Sequence, residues 1–122
     1  MNYRVAVGSS DGKALDVHFG KCAKYFVYES DFSEGAFLFK EVREIEPVCK
    51  QCGRSEHDFG EVAETLSDCK IILVSRIGYP SRAYMESRGF AVLSDDGLVG
   101  DALARLISHL YDFHSERKNG EL

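Results

Sequence analysis

The spacing of hydrophobic positions changes several times along this chain, and each change marks an element. Residues 3–8 (Tyr-Arg-Val-Ala-Val-Gly) have the pattern of a short buried strand, closed by the polar loop Gly8-Ser9-Ser10-Asp11-Gly12. Residues 25–29 are aromatic and β-branched and predict a second strand. A turn-rich stretch at 30–35 leads into residues 36–45, where Phe37, Phe39, Val42 and Ile45 stand against charged neighbours. The two runs together predict an antiparallel hairpin. Residues 47–54 break the pattern. Ser55 is then placed to cap a helix whose Phe59, Val62, Ala63 and Leu66 share one face. Ile71-Ile72-Leu73-Val74 is a continuous apolar run of the kind buried on both faces of a sheet. Pro80 suits the first turn of a second helix and Gly89 its C-terminal stop. Residues 90–93 predict a last strand, and Ala102, Leu103, Leu106, Ile107 and Leu110 form the stripe of a final helix.

The predicted order is β-β-β-α-β-α-β-α. Its alternating part demands parallel strands covered by helices, and its hairpin adds antiparallel strands at one side. The expected fold class is therefore α/β, with a mixed five-stranded sheet and helices on both faces. A chain of 122 residues accommodates one domain. We place it at residues 1–114, followed by a frayed polar tail at 115–122. A hydrophobic fraction of 44% and a charged fraction of 29% are those of a soluble globular protein. The net charge of -5 argues against a general affinity for nucleic acid. No apolar run approaches the roughly 20 residues that span a bilayer, and no signal-peptide pattern opens the chain. The expectation is a cytoplasmic protein with no membrane partner. There the four cysteines (Cys22, Cys49, Cys52, Cys69) serve as ligands, redox thiols or core residues rather than a disulfide framework.

Two constellations carry candidate chemistry. Cys49-Lys50-Gln51-Cys52 sets two sulfurs at a spacing that reaches one metal, Gly53 frees the backbone beside them, and His57 follows five residues later. This is half of a zinc or iron–sulfur site, and the same residues also read as ordinary loop cysteines. A thioredoxin-like role fits less well, because there the motif opens a helix directly after a buried strand. His18-Phe19-Gly20-Lys21-Cys22 lies in the long loop after the first strand, at the end of the sheet where open α/β folds build their sites. A neutral imidazole at His18 and a thiolate at Cys22 are ligands for iron or zinc, with Lys21 and Lys24 placed to offset an anionic cluster. Taken alone, His18 is equally readable as a plain loop histidine. Cys69 reads as a core residue, and His109 and His114 as solvated side chains on or after the last helix. A phosphate loop fails at Gly8 to Lys13, where three residues rather than four separate the glycines and Ala14 follows the lysine. A two-metal nuclease needs carboxylates on the buried strands, which have none, and no Gly-x-Ser-x-Gly elbow occurs. Asp11, Asp16, Asp95 and Asp96 are read as turn and cap residues.

The Ser-Asp-Gly of residues 10–12, followed by His18-Phe19-Gly20, is the most specific element of a wider likeness. Together with Leu66-Ser67-Asp68-Cys69, Ile77-Gly78 and Gly89-Phe90, it makes residues 4–110 resemble the dinitrogenase iron–molybdenum cofactor biosynthesis family. NifX-like carriers and the C-terminal domain of NifB belong to that family. The resemblance implies an RNase H-like three-layer α/β/α fold and a single NifX-like cofactor-binding domain. It also implies a non-catalytic role in carrying an iron–sulfur or iron–molybdenum cluster precursor between donor and acceptor proteins. Carried over by position, it puts His18 at the cluster, flanked by Gly20, Lys21 and Cys22. In the carrier reading, Cys49, Cys52 and His57 from a second loop face the same pocket and join His18 as metal ligands. The alternatives at this point are a structural zinc site or a metal-free interaction module on the same fold.

Overall fold

The computed structural model describes residues 3–31, 35–45 and 56–120. Its elements run β1 (Arg4–Gly8), β2 (Lys24–Asp31), β3 (Ala36–Glu44), α1 (Glu56–Thr65), β4 (Ile71–Val74), α2 (Tyr79–Ser87), β5 (Ala91–Ser94) and α3 (Val99–Gly120). The five strands form one mixed sheet in the order β3-β2-β1-β4-β5. β1, β4 and β5 are parallel, while β2 is antiparallel to both β1 and β3. The three parallel strands therefore end at the same edge of the sheet, where β2 begins and β3 finishes.

Alternation along the strands assigns each side chain to a layer. Ala6, Val27, Ile72, Val74 and Val92 face α1 and α2, meeting Phe59, Val62, Ala63, Leu66 and Met85. Val5, Val7, Ile71 and Leu73 face the other way, against Val99, Ala102, Leu103 and Leu106 of α3. All four apolar residues predicted for one face of α1 are buried. In the hairpin a register shift between Val27 and Tyr28 leaves one extra residue on β3. Because of it Phe37, Phe39 and Val42 lie opposite Ser30, Tyr28 and Phe26, on one face despite their uneven spacing.

The last two elements have boundaries that differ from the sequence pattern. The last strand is Ala91–Ser94, one residue later than expected, because Gly89 occupies a left-handed turn (φ 97°) and Phe90 still serves that turn. α3 continues through the polar residues expected to fray, as far as Gly120. Glu116, Arg117 and Lys118 favour helix, and no breaker intervenes before the terminal glycine.

Candidate functional site

Residues 9–23 leave β1 and are strapped across the ends of β4 and β5. The strap begins with a compact polar turn. Ser9 Oγ donates to the Ala14 carbonyl (2.6 Å) and accepts from the Gly12 N–H (2.9 Å). Asp11 Oδ1 accepts from the N–H groups of Lys13 (2.8 Å) and Ala14 (3.3 Å), which holds its pKa below the usual carboxylate range. Asp16 accepts from both the N–H and the hydroxyl of Ser10, and its pKa is likewise lowered. Gly12 takes φ 77°, and a Cβ there would stand 2.7 Å from the Phe26 ring. The Ser-Asp-Gly sequence thus shapes a turn that no bulkier residue fits.

Further along, backbone bridges fix the strap. Ala14 pairs with Leu98 in the β5–α3 connection and His18 pairs with Arg76 in the β4–α2 connection. The Leu15 N–H donates to the Gly97 carbonyl (2.9 Å), Phe19 N–H to Arg76 (2.8 Å) and Ser75 Oγ to Val17 (2.8 Å). A 3₁₀ turn at Phe19–Lys21 follows, which the periodicity gave no sign of. It drops the Phe19 ring into the core (1% exposed), 6.4 Å from Phe59 at the start of α1, and leaves His18 exposed. The histidine is held by its neighbours' backbone while its own ring is free.

His18 lines a polar cleft of about 620 Å³ with Asp16, Ser75, Arg76, Asp95 and Asp96. Asp95 accepts from the Asp96 N–H (2.8 Å) and from Arg105 (3.0 Å), and these bonds lower its pKa. A larger groove of about 920 Å³ runs between α3 and the hairpin, but it is mainly apolar, and the described residues lining it include no thiol or imidazole. The titratable side chains Asp16 and His18 of the strap line the smaller cleft, at the carboxyl ends of the parallel strands.

The residues expected at the site fare differently. His18, Gly20 and Lys21 lie together on the strap at this end of the sheet. Cys22 does not join His18 in the cleft. The intervening 3₁₀ turn sends its side chain inward, where it is fully buried and its thiol donates to the Lys24 carbonyl at 3.1 Å. Burial raises the pKa of this thiol, as it does that of the neighbouring Tyr25 hydroxyl. The fit is tight: a Cβ on Gly8 would come within 2.9 Å of the Cys22 sulfur. Cys69 is buried as expected, and desolvation pushes its thiol up to about 11. Cys49 and Cys52 lie outside the described residues. His57 falls in the first turn of α1, and His109 is exposed on α3. Among the described residues, no three His, Cys, Asp or Glu side chains converge to hold a metal ion. Arg76 and Ser75 were missed at the sequence level. The available signal was their position, directly after the buried run Ile71–Val74, where a parallel strand ends.

A five-stranded mixed sheet between helices, with an exposed histidine strapped over the carboxyl ends of its parallel strands, defines an α/β domain. Comparison with known sequences specifies which. Residues 1–109 match the sequence model of the family described as dinitrogenase iron-molybdenum cofactor, and the chain belongs to that family. It is 37% identical over 89 residues to "Protein NifX" of Rhodobacter capsulatus, covering 70% of this chain and 55% of that protein. It is 26% identical over 109 residues to "FeMo cofactor biosynthesis protein NifB" of Frankia alni, covering 87% of this chain and 21% of that one. The chain thus spans about half the length of the first relative and about a fifth of the second. The crystal structure of PH0822 superposes with a TM-score of 0.67 at 22% identity, covering 87% of this chain and 89% of that one, and supports the fold. Among the described residues no helix is long and apolar enough to cross a membrane.

Proposed function

We propose that this protein is a non-catalytic carrier that takes up an iron–sulfur or iron–molybdenum cluster precursor and hands it to an acceptor protein. The observation that carries this reading is the presentation of His18: an exposed imidazole on a backbone pinned by Arg76 and anchored by Phe19. An open ligand on a rigid seat suits a cargo that must be both bound and released. α1, α2 and α3 each begin at this end of the sheet, so the positive ends of three helix dipoles face an anionic cargo. Lys21 supplies charge on the strap, and Gly20 leaves room beside it.

Cys49 and Cys52 are the further ligands in this reading, with His57. The described residues on either side favour that role. The Ile45 N–H donates to the Ala23 carbonyl (2.9 Å) at the end of the strap, and Phe59 meets Phe19 beneath it. The described residues that flank the cysteines, Ile45 and Phe59, therefore lie on the side of the sheet that holds His18. The donor and the acceptor of the cargo are metallocluster assembly proteins in this scheme.

The test is anaerobic reconstitution followed by iron and sulfide analysis and visible absorption. The wild-type protein is expected to take up iron and sulfide with broad visible absorption. Cys49→Ala/Cys52→Ala is expected to lose both, and His18→Ala to release the cluster faster to a chelator. Zinc alone without visible absorption, or equal cluster retention in all three proteins, would refute the carrier reading.

A further inference from the structure

Seven arginines fall among the described residues; of the six whose side chains are described, five are engaged. Arg4 reaches Glu29 and Asp68, Arg43 reaches Asp68 and Glu41, and Arg82 reaches the Val92 carbonyl and Glu86. Arg88 donates to the Tyr84 hydroxyl and Arg105 pairs with Asp95. Arg76 makes no hydrogen bond or ion pair with any described side chain. It is exposed, yet it lines the cleft beside His18.

Its position is set by backbone rather than by a flexible side chain. Arg76 pairs with His18 across the β-bridge, and its carbonyl accepts the Phe19 N–H at 2.8 Å. The acceptors that could claim its guanidinium are mostly committed elsewhere, Asp16 to Ser10 and Asp95 to Arg105 and the Asp96 N–H. Asp96 lines the same cleft but lies beyond ion-pair distance of Arg76. A planar fork of donors with no partner among the described residues, carried on a backbone fixed beside an open imidazole, suits an oxygen anion.

We propose that Arg76 is the anion-recognising residue of this site. Its guanidinium receives the oxygens of a doubly negative oxyanion or carboxylate group on the cargo, while His18 contacts the cargo's metal. The assignment rests on the carrier reading above and adds the class of group that the cargo must bear. Two neighbouring residues thus divide the recognition: imidazole for metal, guanidinium for oxygen.

The probes are molybdate, a tetrahedral oxyanion, and malonate, a dicarboxylate. Each is titrated into the metal-free full-length protein and followed by ¹⁵N NMR of the residue 75–78 amides and the Arg76 Nε–H. At least one probe is expected to give saturable shifts there, and which one distinguishes the two sources of the anion. Arg76→Gln should weaken that probe by about tenfold or more with remote resonances unchanged, and Arg76→Lys should fall between, having charge without the fork. His18→Ala keeps the guanidinium and should weaken the anion probe less than Arg76→Gln does, while losing cluster retention. No saturable binding of either probe, or wild-type affinity in Arg76→Gln, overturns the proposal. Equal cluster retention in the wild type, His18→Ala and Cys49→Ala/Cys52→Ala overturns the carrier reading instead, and the anion titrations still judge Arg76.

Discussion

Phe19 is the residue whose removal tests how the site is held. Its ring is 1% exposed and packs in the core shared by Phe59, Leu66, Val74 and Met85, directly below the exposed His18. Truncation to alanine removes a fully buried aromatic side chain. The lost transfer free energy is about 2–3 kcal/mol. The neighbours come from β4, α1 and α2 and cannot all move inward, so a cavity term raises the total to about 3–5 kcal/mol. For a domain of this size that lowers Tm by on the order of 10–20 °C. Equilibrium urea unfolding of Phe19→Ala measures the loss, with Phe19→Leu as the control that keeps most of the volume and costs about 1 kcal/mol. The functional consequence is separable. At a temperature where Phe19→Ala remains folded, its cluster retention should fall toward that of His18→Ala, because the strap has lost its anchor. A cost below about 1 kcal/mol, or unchanged retention in a folded Phe19→Ala protein, refutes the claim that this ring seats the histidine.

Further predictions concern the strap, the far end of the sheet and the thiols. Gly12→Ala should destabilise by about 2–3 kcal/mol, since it combines left-handed strain with a 2.7 Å clash. Gly97→Ala, at φ 83° in open space, should cost only about 1 kcal/mol, and equal losses in urea unfolding would contradict this. Asp68 receives both arms of Arg43 (2.6 and 2.8 Å) and one from Arg4 (2.7 Å), yet its side chain is 44% exposed, so Asp68→Asn should cost about 1 kcal/mol. The hydrogen bonds from Arg43 hold the Asp68 carboxylate well below its usual pKa. Its contribution is therefore complete above the unfolded value of about 4 and disappears as pH falls through the lower folded value. Chemical unfolding should give stability that is flat from pH 7 to about 5 and declines below about 4, less steeply in Asp68→Asn. Cys22 and Cys69 should react with a thiol reagent at pH 8 only on unfolding, so native Cys49→Ala/Cys52→Ala should show no fast thiol. At the alkaline end the sign reverses. The folded state retains the Cys69 proton up to about 11, so that thiol's contribution to stability declines as pH rises from about 9 through that value.

The fold was legible because each of its elements is a local statement. The apolar run Ile71–Val74 can be satisfied only inside a sheet, and the Phe59, Val62, Ala63, Leu66 spacing only on a helix with one buried face. Pro80 and Gly89 act within their own turns. The likeness centred on His18-Phe19-Gly20 was equally local, and family membership followed from it. The site was only half legible. His18 and Cys22, four residues apart, read as a pair of ligands, yet a 3₁₀ turn between them exposes the first and buries the second.

By itself, then, the sequence determined the order of elements, their mixed sheet, the core faces of the helices and the histidine at the strap. Those follow from periodicity and from chain neighbours. Only the tertiary structure decided that Cys22 and Cys69 are core and that, among the described side chains, Arg76 is left without a partner. It also decided that residues 9–23 are fastened to two connections more than fifty residues away. Burial and pairing depend on groups brought together by the closing of the sheet, and no local spacing records them. Arg76 shows the difference: in the sequence it is one arginine among several, and in the fold it stands beside His18 with no partner for its donors among the described residues.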